Sequence, residues 1–139
     1  MADPYHLRRF VDAQAPIFGA VRAELLRGRK QSHWMWFIFP QLRGLGHSAM
    51  AECYAIGSLA EARAYLSHPI LGARLRECAA IVMAVEGRSI TRILGEIDAM
   101  KFRSSMTLFA RASEGEEVFI QALEKHFGGE EDLATLERL

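Results

Sequence analysis

Residues 32–48 constrain this chain more than any other stretch. They read Ser32-His33-Trp34-Met35-Trp36-Phe37-Ile38-Phe39-Pro40-Gln41, followed after Leu42 by Arg43-Gly44-Leu45-Gly46-His47-Ser48. Both tryptophans of the protein lie here, two residues apart, in an unbroken apolar run from Trp34 to Phe39. Such a run fits a fully buried strand or a short buried helix, and periodicity does not separate the two. Two observations favour a helix from Ser32 to about Ile38. Pro40 stops a helix where the run ends, and nothing else in the chain reads as a strand partner, without which a strand's backbone groups go unpaired. Polar residues bracket the run, with Ser32 and His33 before it and Gln41, Arg43, His47 and Ser48 after it. The stretch is therefore a core segment, a ligand wall, or both.

The remaining chain reads as helices separated by strong stops. Asp3-Pro4 is a helix start, because Asp can cap free N–H groups and Pro suits the first helical position; that helix runs to about Gln14, before Pro16. Ile17, Val21 and Leu25, with Phe18 beside them, mark a second helix that Gly28 ends. Ser48 caps a helix to about Ile56, and Ser58-x-x-Glu61 is a capping box for a helix through Leu66. After His68-Pro69, the stripe Leu71, Leu75, Cys78, Val82 and Val85 predicts a helix to about Glu86. Ser89 opens a short helix to Leu94, which Gly95 breaks, and another runs from about Ile97 to Ala112. A second capping box, Ser113-x-x-Glu116, precedes the apolar face Val118, Phe119, Ala122, Leu123, His126 and Phe127. Gly128-Gly129 ends that helix, and Asp132 caps a last turn or two to Arg138. With no repeat or long linker, the prediction is all-α: a single compact domain over residues 1–139 with about seven to nine short helices.

Half of the 139 residues are hydrophobic, enough for a core without disulfides. Lys and Arg number 17, as do Asp and Glu, so electrostatics argues against nucleic acid or an anionic membrane as the main partner. Cys53 and Cys78 form no framework and read as reduced core thiols. Met1 to Arg9 lacks the apolar segment of a signal peptide, and no apolar run approaches the ~20 residues of a membrane helix. These features predict a soluble cytoplasmic protein.

Two places carry candidate chemistry. Gly44-Leu45-Gly46-His47-Ser48-Ala49 has the letters of a dinucleotide fingerprint, but the βαβ unit that gives those letters meaning is missing. A glycine turn feeding a helix start can instead face a phosphate or carboxylate, with Arg43 and His47 beside it; the plainer reading is a tight turn that needs glycine's freedom. Asp98, Lys101 and Ser105 share one helical face, with Ser104 alongside and Phe102, Met106 and Phe109 on another. There Lys101 suits an anion, Asp98 a base or hydroxyl acceptor, and Ser104, Ser105 and Thr107 hydrogen bonds. The plain alternative is a solvated face whose Asp98–Lys101 pair is worth a few tenths of a kcal/mol. Trp34 and Trp36 suit a stacking platform or the core, and their indole N–H groups beside Gln41 and Ser32 point to a polar pocket edge. His33 reads as satisfying a buried polar contact. No HExxH, paired CxxC or nucleophile elbow is present, so neither a metal site nor a serine hydrolase is predicted, and no cofactor is called for.

Taken together, the aromatic stretch, Gly44-Leu45-Gly46, Ala62-Arg63-Ala64-Tyr65-Leu66 with His68-Pro69 and Leu71-Gly72, and Lys101-Phe102 with Ser104-Ser105-Met106-Thr107-Leu108-Phe109 resemble a family of small bacterial proteins. It is domain-of-unknown-function family 1810, sometimes mislabelled calpastatin. The resemblance runs from Asp3 to Leu136 and implies a mainly helical single domain, without an established activity, cofactor or catalytic residue. The inhibitor label carries no weight, because a disordered polar inhibitor would lack this apolar content. More distantly, Ala51-Glu52-x-Tyr54 with Lys101-Phe102 is similar to pieces of the ADP-ribose-associated N-glycosidase (NADAR) superfamily. That similarity implies Glu52 as a catalytic carboxylate and Lys101 as a phosphate or ribose contact. Cys53 departs from the superfamily's pattern, as does the missing N-terminal motif.

The expectation is therefore a pocket for a small phosphate-bearing or nucleotide-like ligand. Its walls would be Ser32, His33, Trp34, Trp36, Gln41, Arg43, Gly44, Gly46, His47, Lys101, Ser104, Ser105 and Thr107, with Glu52 or Asp98 activating water if an N-glycosidic bond is hydrolysed. The rival is a non-enzymatic module that offers its aromatic stretch to a partner protein.

Overall fold

Side-chain caps set many of the helix boundaries in the computed structural model, which describes residues 2–139. In order, the helices are α1 (Arg8–Gln14), α2 (Phe18–Leu26), α3 (Met35–Ile38), α4 (Ala49–Cys53), α5 (Leu59–Ser67), α6 (Leu71–Ala84), α7 (Ile90–Leu94), α8 (Glu96–Ala112), α9 (Glu117–Phe127) and α10 (Leu133–Arg138). The all-α prediction holds. Ten helices are present among the described residues, each at a segment the sequence marks as helical, and four of them, α3, α4, α7 and α10, are only four to six residues long. Four caps fall where the sequence places them. Ser48 accepts from Ala51 N, Ser58 from Glu61 N, Ser89 from Arg92 N and Asp132 from Thr135 N, all within 3.0–3.2 Å. Each satisfies an N–H that a first helical turn leaves free.

Several boundaries differ from expectation for identifiable reasons. The first helix begins at Arg8 rather than at Asp3-Pro4, since the Asp3 carboxylate accepts from Leu7 N at 2.8 Å and Arg8 N at 3.0 Å across an intervening turn. The α4 helix stops at Cys53 because Ile56 is drawn into a single parallel bridge with Leu42. There Ile56 N donates to Gln41 O at 2.9 Å and Arg43 N donates to Ile56 O at 2.8 Å. The second capping box is incomplete: Ser113 accepts from Glu116 N at 3.1 Å, but the Glu116 carboxylate binds Arg76 at 2.6 and 3.1 Å. Of the two thiols only Cys78 is in the core; Cys53 is exposed at the end of α4.

One apolar core joins the helices, with α8 central and packed against α5, α7, α9 and α10. Residues 104–110 of α8 are buried all round. The aromatic stretch is interior too: Trp34, Met35, Phe37, Ile38 and Phe39 are at most 7% exposed. Phe39 meets Phe102 of α8 edge to face, with ring centroids 4.9 Å apart.

A buried carboxylate fixes how this stretch enters the core. Glu24, on α2, is 5% exposed and accepts from Gln31 N (2.7 Å), Ser32 N (2.9 Å), Ser32 Oγ (2.5 Å) and Trp34 Nε1 (3.0 Å). Burial by itself pushes this carboxyl up, but the hydrogen bonds from Ser32, Gln31 and Trp34 outweigh it and hold the pKa at about 2, against an ordinary 4.5. A carboxyl depressed in the folded state contributes stability that is present above its unfolded pKa and lost as pH falls through the folded one. Acid denaturation should therefore remove up to about 3 kcal/mol through Glu24 between pH 4.5 and 2. Denaturant midpoints measured across that range should fall steeply for the wild type and less steeply for Glu24→Gln; parallel slopes would contradict this role.

Candidate functional site

The Leu42–Ile56 bridge, the Phe39–Phe102 contact and an arginine clamp hold three segments around one cleft. Arg9 donates to Cys53 O and Ala55 O, both at 2.9 Å, and pairs with the largely buried carboxylate of Glu61 at 3.0 Å. It thereby ties the chain after α4 to α1 and α5. On the other side, the Gly44–Gly46 turn closes directly onto α4: a Cβ on Gly46 would lie 2.6 Å from Ala51 Cβ. The cleft between these walls has a volume of about 340 Å³.

Its floor is apolar, formed by Met35, Phe39 and Leu42, and its rim is polar, carrying Gln41, Arg43, His47, Glu52, Tyr54 and Lys101. Among the described residues, the side chains of Gln41, Arg43, His47, Glu52 and Tyr54 make no hydrogen bond or ion pair with another residue of the chain. Trp36 is half-buried, and Lys101 Nζ stands 5.6 Å from its ring centroid, a cation–π arrangement. Lys101 is otherwise held loosely. Its amine is 3.8 Å from Asp98 Oδ1, whereas Asp98 Oδ2 is 2.9 Å from Lys30, whose side chain is 8% exposed. Lys30 also donates to Ser32 O at 2.6 Å and lies 5.0 Å from the Trp34 ring centroid. The buried lysine thus neutralises Asp98, and the charge of Lys101 stays available to the cleft.

The structure divides the residues singled out from sequence. Trp36, Gln41, Arg43, Gly44, Gly46, His47, Glu52 and Lys101 come together in this cleft. Trp34 and Ser32 do not line it, since both are bound to Glu24. His33 is exposed rather than buried and lies outside it as well. Asp98 sits behind Lys101 in its pair with Lys30. Ser104 faces a neighbouring groove with its hydroxyl bonded to Met100 O at 3.2 Å. Thr107 Oγ1 donates to Arg103 O at 2.8 Å and accepts from Asp132 N at 2.9 Å. Ser105 is fully buried, and its Oγ alone among buried side-chain polar atoms of the described residues has no partner. Ser105 and Thr107 are thus inside the helical core rather than on a ligand-facing surface. The start of α4, the anion seat expected beside the glycine turn, belongs to a helix of five residues, and Ser48 takes one of its first N–H groups, that of Ala51.

Four residues with a part in this site carry no clear signal in the sequence. Tyr54 lines the cleft, with its ring edge-on to Phe37 and tilted against Phe10. Arg138, from α10, lies over the turn, its Nε 3.0 Å from where a Gly44 Cβ would be. Glu24 and Arg9 act from beneath. Only Tyr54 had a cue, its place in Ala51-Glu52-x-Tyr54.

Fold and cleft together define a small all-helical protein whose aromatic stretch supports one polar-rimmed cleft. The chain belongs to the family described as Protein of unknown function (DUF1810), whose model matches residues 4–139. It is similar to the conserved hypothetical protein Rv1873 from Mycobacterium tuberculosis, with a TM-score of 0.97 to that crystal structure and 55% sequence identity. The match covers 99% of this chain and 98% of that one. A search of curated proteins gives no significant match. The second resemblance, to the ADP-ribose-associated N-glycosidases, finds no support in these comparisons. Among the described residues, no helix is long and apolar enough to cross a membrane.

The unequal burial of the two tryptophans is directly measurable. In Trp36→Phe the remaining emission should come from sealed Trp34, blue and resistant to acrylamide, while the wild type should show a quenchable component. Equal quenching of the two proteins would contradict this placement.

Proposed function

We propose that the cleft binds a small phosphate-bearing, nucleotide-like ligand, with its anionic group between Lys101 and Arg43. One observation carries this reading. In a chain of zero net charge, two cations without a tight internal partner face one cleft, beside a half-buried tryptophan and the free amide of Gln41. Charge-assisted hydrogen bonds to phosphate are among the stronger polar contacts a protein makes. The interior position of Trp34, Phe37 and Phe39 favours this reading over a partner-protein module built on the aromatic stretch, which would need those rings outside.

The same reading chooses between the two candidate carboxylates. Asp98 is engaged by Lys30, whereas Glu52 lines the cleft and has no partner among the described residues. Hydrolysis of an N-glycosidic bond here would use Glu52 to take a proton from water as its oxygen attacks the anomeric carbon. The carbon–nitrogen bond would break with its electron pair on the departing base, which then gains a proton from solvent.

Titration of tryptophan emission with ADP-ribose, NAD, nucleotides and sugar phosphates tests the binding step. At least one class should give a saturable change in the wild type. Lys101→Met should weaken it about tenfold or more without altering the melting temperature, as expected for losing a hydrogen bond to a charged group. If none of these compounds gives a saturable change, the reading fails. For any N-glycoside that binds, Glu52→Gln should keep the affinity and lose release of the free base; retained release would remove Glu52 from the chemistry.

A further inference from the structure

We infer that the ligand continues from the cleft into a second groove beside it and seats a heteroaromatic base there, so that the ligand class is a nucleotide and not a bare sugar phosphate. This rests on the anion-binding reading above. The second groove, about 320 Å³, lies between the Gly44–Gly46 turn, the first turns of α8 and the start of α10. Gln41, Gly46 and Lys101 line both cavities. The two spaces are thus adjoining compartments with a common border, and a phosphate held at Lys101 has one on either side.

The second compartment differs from the first in chemistry. Its walls include Leu45, Ile97 and Met100. Ile97 and Met100, spaced i and i+3 on α8, are 72% and 71% exposed, and that spacing puts them side by side on one helical face. Their apolar surface is left in water, which is unfavourable, and a flat apolar group laid on them would cover it. Methionine is well suited to this, because its thioether packs favourably against aromatic rings.

An alkyl tail would also cover Ile97 and Met100, but the edge of the groove argues for a base. Asp132 uses Oδ2 for both of its bonds to Thr135, at 3.0 Å to the backbone N and 2.6 Å to the hydroxyl. Its Oδ1 has no partner among the described residues and can accept from a ring or exocyclic N–H. The Gln41 amide, on the shared border, offers both a donor and an acceptor. Covering these groups with hydrocarbon would leave them desolvated and unpaired. A heteroaromatic base presents an apolar face and a hydrogen-bonding edge at once, and so matches both parts of the groove.

The test compares ribose 5-phosphate, AMP and hexyl phosphate by titration calorimetry on the wild type and on Ile97→Ser/Met100→Ser. Both substitutions are at exposed positions, and unchanged melting would verify that the double variant is folded. AMP should bind the wild type at least tenfold more tightly than either of the other two. The double variant should lose most of that advantage and keep its affinity for ribose 5-phosphate. Equal binding of AMP and ribose 5-phosphate by the wild type would overturn the base subsite and leave the anion site standing. Hexyl phosphate matching AMP would overturn the assignment of a base in favour of an alkyl group. An advantage for AMP that survives in the double variant would place the base elsewhere. If none of the three binds the wild type, the anion-binding reading fails, and this inference fails with it.

Discussion

The fold depends on how Glu24 receives the chain that enters the aromatic stretch. A tryptophan buried to 1% exposure needs a partner for its indole N–H, since leaving that donor unpaired costs of order 1–3 kcal/mol. Glu24 supplies it, and the same carboxylate takes the backbone N–H groups of Gln31 and Ser32 before α3 begins. The approach to α3 is thereby docked onto α2, and the rotation of the short helix follows. At 3.6 residues per turn, positions two apart face nearly opposite directions. Sealing Trp34 against α2 thus sends Trp36 the other way, toward Lys101 and the cleft. A structural carboxylate on one side of the stretch so determines which ring is available on the other.

Parts of this arrangement were legible in the sequence, and the division has physical reasons. Local signals placed four helix starts correctly. Ser48, Ser58, Ser89 and Asp132 cap where they are expected to because capping involves only neighbours in the chain. The Gln41–His47 segment and Lys101 could be named because isolated polar groups beside an aromatic run and on a helical face stand out by pattern, whereas Glu52 came only from the resemblance to the ADP-ribose-associated N-glycosidases. Contacts that join distant positions left no such trace. The two-residue pairing of Leu42 with Ile56 is too short to produce an alternating pattern, yet it ends α4 early and sets the cleft's width. Ser104, Ser105 and Thr107 misled for a related reason. Polar residues on a helix suggest a solvated face, but α8 is enclosed by other helices over residues 104–110, and two of these hydroxyls instead bond to the preceding turn's carbonyls. Glu24 resembled any surface glutamate of an amphipathic helix, since only the tertiary fold brings Ser32 and Trp34 to it.

The cleft's electrostatics show how a chain with no net charge can hold a locally positive site. Asp98 lies between two lysines and does not share itself equally. Lys30, the more buried, takes the short contact at 2.9 Å, and Lys101 remains at 3.8 Å. The direction follows from desolvation: a buried ammonium is costly unless paired, so the carboxylate stabilises Lys30 more than it would Lys101. Without Lys30, Asp98 would draw Lys101 into a closed pair and cancel the charge that faces the cleft. Without Asp98, the buried amine of Lys30 would be left beside Trp34 with only Ser32 O as a hydrogen-bond acceptor. The Lys30–Asp98 pair is therefore a second ionic element beside Trp34, alongside Glu24. One fixes the ring that is hidden, and the other leaves Lys101 free to act beside the ring that is not.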